Sequence, residues 1–220
     1  IVLFLMVVSF ILPFSAVYFK IGDYDTPDFA NYVAMSDNIV YVAGGESGLL
    51  IIDVSNPQNP VLLGSYGTPG YAYSVFVSNN IAYVAAWDAG LQIIDVSNPQ
   101  YPSFLGSYFF GGNGRSVFVS NNIAYVADEN SGLKIIDVSN PQNPALIVSY
   151  DTPGIALSVT VSNNIAYITD ENSGLQIIDV TNPYNPALLG SYDTPGIALS
   201  VTVSNNIAYV ADEESGLQII

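Results

Sequence analysis

Short apolar runs rich in Val, Ile and Tyr alternate along this chain with clusters of Pro, Gly, Asn and Asp. That alternation is the mark of strands and turns. Residues 187–220 show the pattern: ALLGSY, the turn DTPG, ALSVTVS, the pair Asn205-Asn206, IAYVA, the turn DEESG, then LQII. In complete copies the last run continues as IIDVS and ends at NPQNP. The pattern predicts four strands per copy and no helix. IAYVA and LQII are apolar at consecutive positions, so a lone sheet would expose apolar side chains on one face. Stacking sheets face to face around an axis covers both faces.

The pattern recurs at a fixed step. IIDVSNP begins at Ile51, Ile93 and Ile135, IIDVTNP at Ile177, and a final II falls at Ile219, always 42 residues apart. Tyr24, Tyr66, Tyr108, Tyr150 and Tyr192 keep that spacing, as do Gly48, Gly90, Gly132, Gly174 and Gly216. Residues 151–178 and 193–220 are identical at 25 of 28 positions, the trace of a recent duplication. A period of 42 with four short strands predicts an all-β fold, a β-propeller of four-stranded antiparallel blades. The five units run 20–61, 62–103, 104–145, 146–187 and 188–220, the last incomplete. They fit a closed five-bladed ring or an arc of a larger propeller. In a closed ring Lys20–Tyr24 supplies the outermost strand beside Leu217–Ile220.

The units GLQIIDVSNPQYP (90–102) and GLKIIDVSNPQNP (132–144), with LLGSY before and SNNIAYVAD between, resemble LVIVD-repeat proteins over about residues 20–220. The resemblance implies a propeller fold and a bacterial or archaeal cell-surface setting. It implies no reaction.

Residues 1–19, IVLFLMVVSFILPFSAVYF, carry no charge and read as a signal peptide or membrane anchor that begins past its basic segment. The expected location is therefore secreted or at the cell surface, with membrane contact only through this segment. Net charge is −16, from 19 acidic residues against Lys20, Arg115 and Lys134. That balance argues against nucleic acid, which needs clustered cations. The chain has no Cys and no His, which removes disulfides, thiolate chemistry, ordinary zinc sites and nucleophile–His pairs.

Antiparallel order places the DTPG and DEESG turns on one rim and the Asn-Asn turns and SNPQNP links on the other. Fourteen of the 19 acids fall on the first rim, predicting one negative face. Solubility and turn chemistry account for it; a Ca²⁺ or cationic partner is the sharper reading. DENSG lacks the spaced ligands of an EF-hand loop, so no metal site is assigned. Asp53, Asp95, Asp137 and Asp179 are expected to accept backbone N–H groups from the turns after them. Gly48 and its equivalents are expected to supply left-handed backbone, and the repeated tyrosines to pack between blades.

Where copies differ, a single site can sit. Unit two has GTPGYAY (67–73) and AWDAG (86–90), and unit three has FFGGNGR (109–115). Adjacent blades would bring Tyr71, Tyr73, Trp87, Phe109, Phe110, Asn113 and Arg115 to one sector of the acidic rim, a candidate contact patch for a protein or surface-glycan partner. The bland reading is loop drift, with Arg115 neutralising nearby acids. The expected function is a non-catalytic cell-surface or secreted binding module. The alternatives are a structural surface or matrix component with a cation-binding acidic face and, third, a carboxylate-dependent glycoside hydrolase. No catalytic residue and no cofactor is assigned.

Overall fold

Asn79 and Asn80 both adopt positive φ, 51° and 61°, and Asn121-Asn122, Asn163-Asn164 and Asn205-Asn206 repeat those values closely. Two successive left-handed residues make the tight turn whose twist suits a hairpin. Each such turn joins the first two strands of a blade. The computed structural model describes residues 20–171 and 173–220; the segment 1–19, read above as a signal peptide or anchor, lies outside the described residues.

Blade 1 contains β1 (Tyr32–Ser36), β2 (Ile39–Ala43), β3 (Leu49–Asp53) and β4 (Val61–Tyr66). Blade 2 contains β5 (Ser74–Ser78), β6 (Ile81–Ala85), β7 (Leu91–Asp95) and β8 (Ser103–Tyr108). Blade 3 contains β9 (Gly114–Ser120), β10 (Ile123–Asp128), β11 (Gly132–Asp137) and β12 (Ala145–Tyr150). Blade 4 contains β13 (Ala156–Ser162), β14 (Ile165–Asp170), β15 (Leu175–Asp179) and β16 (Ala187–Tyr192). Blade 5 has three strands, β17 (Ala198–Ser204), β18 (Ile207–Asp212) and β19 (Gly216–Ile219). Strands pair in chain order within each blade. Between the third and fourth strands the register shifts at the paired isoleucines, 51/52, 93/94, 135/136 and 177/178, a bulge repeated in every complete blade.

The first strands β1, β5, β9, β13 and β17 lie innermost, each against the next. All five blades contribute to a cavity of about 530 Å³ on the axis. The core lies in the seams. Tyr41, Leu49 and Ile51 of blade 1 meet Val75, Val84 and Ile94 of blade 2. Tyr83, Leu91 and Ile93 meet Val117, Val126 and Ile136, and Tyr125, Leu133 and Ile135 meet Val159, Ile168 and Ile178. Burying one such Leu or Ile stabilises by about 2 kcal/mol. Tyr66, Tyr108 and Tyr150 close the seams from outside, whereas Tyr192 is exposed.

Lys20–Tyr24 does not form the outermost strand beside β19. Residues 20–31 contain no strand. Tyr24 packs instead on Val42, Leu50 and Ile52 of blade 1. Gly22 lies against the Pro57 carbonyl, as Gly64 lies against that of Pro99. The segment thus sits on blade 1 as a fourth strand sits on the following blade, but unpaired. Among the described residues, β1 and β17 do not pack as other neighbouring inner strands do, and Val33, Met35, Leu217 and Ile219 are exposed.

Not every acid of the DTPG rim faces water. Asp128, Asp170 and Asp212 are buried. Each accepts an N–H from the loop that leads into its own blade: Asn113 at 2.9 Å, Gly154 at 2.9 Å and Gly196 at 3.0 Å. Asp128 also lies 3.5 Å from Lys134 Nζ, which donates to Ser149 Oγ at 2.7 Å. Blades 2, 4 and 5 carry Gln92, Gln176 and Gln218 where blade 3 has Lys134, each donating to a nearby carbonyl.

These features set three expected outcomes. Gly90 and Gly216 share φ 72°, a conformation that costs an L-residue about 1–3 kcal/mol. A Cβ at Gly90 would also strike the Tyr108 carbonyl, whereas Gly216 has open space around it. Gly90→Ala should therefore lower the urea midpoint more than Gly216→Ala. Lys134→Met should cost about 3–5 kcal/mol by leaving Asp128 buried and unpaired. Lys134→Gln should cost less, because blade 4 already combines Asp170 with Gln176. Burial, followed by the charges of Asp151 and Glu171, pushes the Asp170 carboxyl above 3.8 despite hydrogen bonds from Gly154 and Thr152. As pH rises past 3.8 the unfolded chain ionises first at this position, so its contribution to stability is lost up to the folded-state value and flat beyond. Asp170→Asn should remove that loss, which paired denaturation curves across acidic pH would read as a difference growing with pH.

Candidate functional site

After the second strand of a blade, one residue reaches across the seam to the start of the next inner strand. Gly45 exchanges backbone hydrogen bonds with Ala72, and Trp87 with Gly114; Ala198 donates to Glu171. In four of the five blades the position takes left-handed backbone: φ is 59° at Gly45, 44° at Trp87, 29° at Glu171 and 27° at Glu213. Glycine does so at little cost, and a bulky residue there is an outlier. Blade 2 places its tryptophan in this slot.

The slot aims Trp87 at the residues that open β5 and β9. Its ring centroid lies 5.0 Å from that of Tyr73, and Tyr71 stacks on Tyr73 at 4.9 Å, both tilted. The Arg115 guanidinium lies 4.5 Å above the Tyr73 ring and 5.2 Å from the Trp87 ring. Arg115 Nε pairs with Glu129 Oε1 at 2.9 Å. Asn113 Nδ2 donates to Glu129 Oε2 at 3.0 Å, and the Asn113 N–H donates to buried Asp128. Two blades thus build one cluster: three aromatic rings, a cation laid on two of them, a carboxylate paired with the cation, and an amide that donates to the carboxylate. Tilted aromatic pairs contribute about 0.5–1.5 kcal/mol each, and an arginine on a ring about as much.

Of the seven residues the sequence points to, Tyr71, Tyr73, Trp87, Asn113 and Arg115 are drawn together. Phe109 and Phe110 make no contact with the stack among the described aromatic pairs. Phe109 is 69% exposed, while Phe110 turns into the seam between blades 2 and 3. Glu129 is the member sequence reasoning left among the general rim acids. It stands 42 residues after Trp87, on the rim that carries the lone arginine, and that phase singles it out. At the third seam, where Glu129 stands, the described residues show no cross-seam bridge. Its N–H instead donates to Asn113 O at 3.1 Å, within its own blade.

The strand-end aspartates do as expected. Asp53, Asp95, Asp137 and Asp179 accept the N–H two residues ahead at 2.7–2.8 Å. The backbone and hydroxyl of Ser55 hold the Asp53 carboxyl below its usual range. Among the described residues, no group of three or more acidic side chains is arranged to hold a metal ion.

The LVIVD repeat model matches five times, over residues 29–68, 69–109, 111–152, 153–194 and 195–220. No curated protein matches. Among solved structures, the computationally designed Ika8 protein is similar at TM-score 0.63 and 12% identity, over 86% of this chain and 70% of that one. The computationally designed Ika4 protein is similar at TM-score 0.60 and 15% identity, over 73% of this chain and 97% of that one. At such identities these likenesses speak for the fold alone. The five matched repeats, each coinciding with one blade, make this chain a member of the LVIVD repeat family.

Proposed function

We propose that this propeller is a non-catalytic binding module, secreted or held at the cell surface, that engages its partner through the Tyr71, Tyr73, Trp87, Asn113, Arg115 and Glu129 cluster. One observation carries the reading. Trp87 occupies a left-handed backbone slot where blade 1 has Gly45. A side chain in that conformation costs about 1–2 kcal/mol against glycine, a cost that cancels much of what Trp87 gains from Tyr73 and Arg115. A large aromatic held at that backbone cost fits a role in recognition more than in folding.

The axial cavity supports a binding role over a hydrolytic one. Its lining includes Phe76, Phe118, Ser158, Thr160, Ser200 and Thr202 and, among the described residues, no Asp or Glu. Glycoside hydrolysis needs two facing carboxylates. The apolar segment 1–19 supports export.

The test separates binding from folding. Labelled chain should sediment with cell-envelope material, and Trp87→Gly should weaken that about tenfold or more while keeping or raising the unfolding midpoint. Envelope binding that Trp87→Gly leaves intact would remove the cluster from the function.

A further inference from the structure

We infer that the cluster takes a neutral, hydroxyl-rich ligand, a glycan segment of one or two sugar rings. This rests on the reading of the cluster as the binding site and goes further by naming what it selects.

Charge narrows the choice first. Arg115 and Glu129 cancel each other at 2.9 Å, so an anion arriving here meets no unspent cation. It would also cross the field of a chain with net charge −16. A cationic ligand fares no better, because it meets like charge: the Arg115 guanidinium lies on Tyr73 and Trp87 and already takes the Glu129 carboxylate. Neither sign is favoured, and a neutral ligand remains.

The polar groups then fit hydroxyls. Glu129 already accepts from Arg115 Nε and Asn113 Nδ2, which leaves the terminal guanidinium nitrogens of Arg115 to donate and the Asn113 amide oxygen to accept, neither with a partner among the described hydrogen bonds. Donors and acceptors therefore stand side by side along the rings. A sugar presents the matching surface, with an apolar C–H face for Tyr71, which carries no guanidinium among the described contacts, and a rim of hydroxyls that each donate and accept. Size agrees as well. Three rings stacked against one another about 5 Å apart leave at most the outer faces of the stack, room for one or two sugar rings. They fall far short of the roughly 800 Å² per side of a standard protein interface. The stack, the ion pair and the Trp87–Gly114 bridge hold these groups before a ligand arrives, so few rotamers are lost on binding.

Trp87 is the only tryptophan, so emission reads the site directly. The full chain would be titrated with neutral tetrasaccharides spanning gluco-, galacto-, manno- and N-acetylglucosamine linkages, with an oligouronate and a basic peptide alongside. At least one neutral sugar should give a saturable change, half-complete at roughly 0.1–10 mM and insensitive to salt. Arg115→Leu and Tyr71→Ile, which borrow the residues of Leu157 and Ile155 in blade 4, should weaken it about tenfold or more. Envelope binding should survive protease and be destroyed by mild periodate, which cleaves vicinal diols. A stronger response to the oligouronate or the peptide would overturn the inference. So would silence toward every neutral sugar. If Trp87-dependent envelope binding is instead lost to protease and kept after periodate, the ligand is a protein: the glycan inference falls and the binding site stands. If Trp87→Gly leaves envelope binding unchanged, both fall.

Discussion

Every blade of this molecule is apolar on both faces, and that single constraint organises the rest. A lone sheet carrying Tyr83, Leu91 and Ile93 on one side and Val75, Val84 and Ile94 on the other cannot be covered by water on either. Its stability is borrowed from two neighbours, in the manner of other repeat architectures. The demand leaves almost no freedom inside a seam, and the same residue types recur there at each step. It leaves the rim residues free to change, because they are not what the neighbours hold.

The cluster shows how that freedom is used. The slot after the second strand is filled by Gly45, Trp87, Glu129, Glu171 and Glu213 in successive blades, and the residue opening the inner strand by Tyr73, Arg115, Leu157 and Leu199 in blades 2 to 5. The scaffold fixes where these side chains project; the copies decide what projects. Blades 2 and 3 place aromatic and polar groups in facing positions, and the seam brings them into contact. Buried Asp128 serves both roles, bonding the loop that carries Asn113 while paired with Lys134 beneath it.

The step of 42 residues, the Asn-Asn hairpins and the left-handed glycines follow from local chemistry repeated in phase, and so could be read from the chain alone. The sector of the cluster was legible for the same reason: a departure from an otherwise strict repeat stands out. What could not be read depends on depth and direction, which a strand pattern does not carry. Asp128, Asp170 and Asp212 look like rim acids in sequence, yet point inward to bond their own loops. Phe110 has the composition of a contact residue but fills the seam. Lys20–Tyr24 has the phase of a fourth strand, and Tyr24 satisfies its packing on blade 1 without pairing.

The near identity of residues 151–178 and 193–220 has a genetic corollary. Coding segments so alike can misalign during replication, and a slip would insert or delete whole units in frame. Such an event among the last copies would change how many sectors surround the axis. The Trp87–Arg115 assembly, drawn from the second and third blades alone, would pass through it intact, so this cluster and the ring size can change independently of each other.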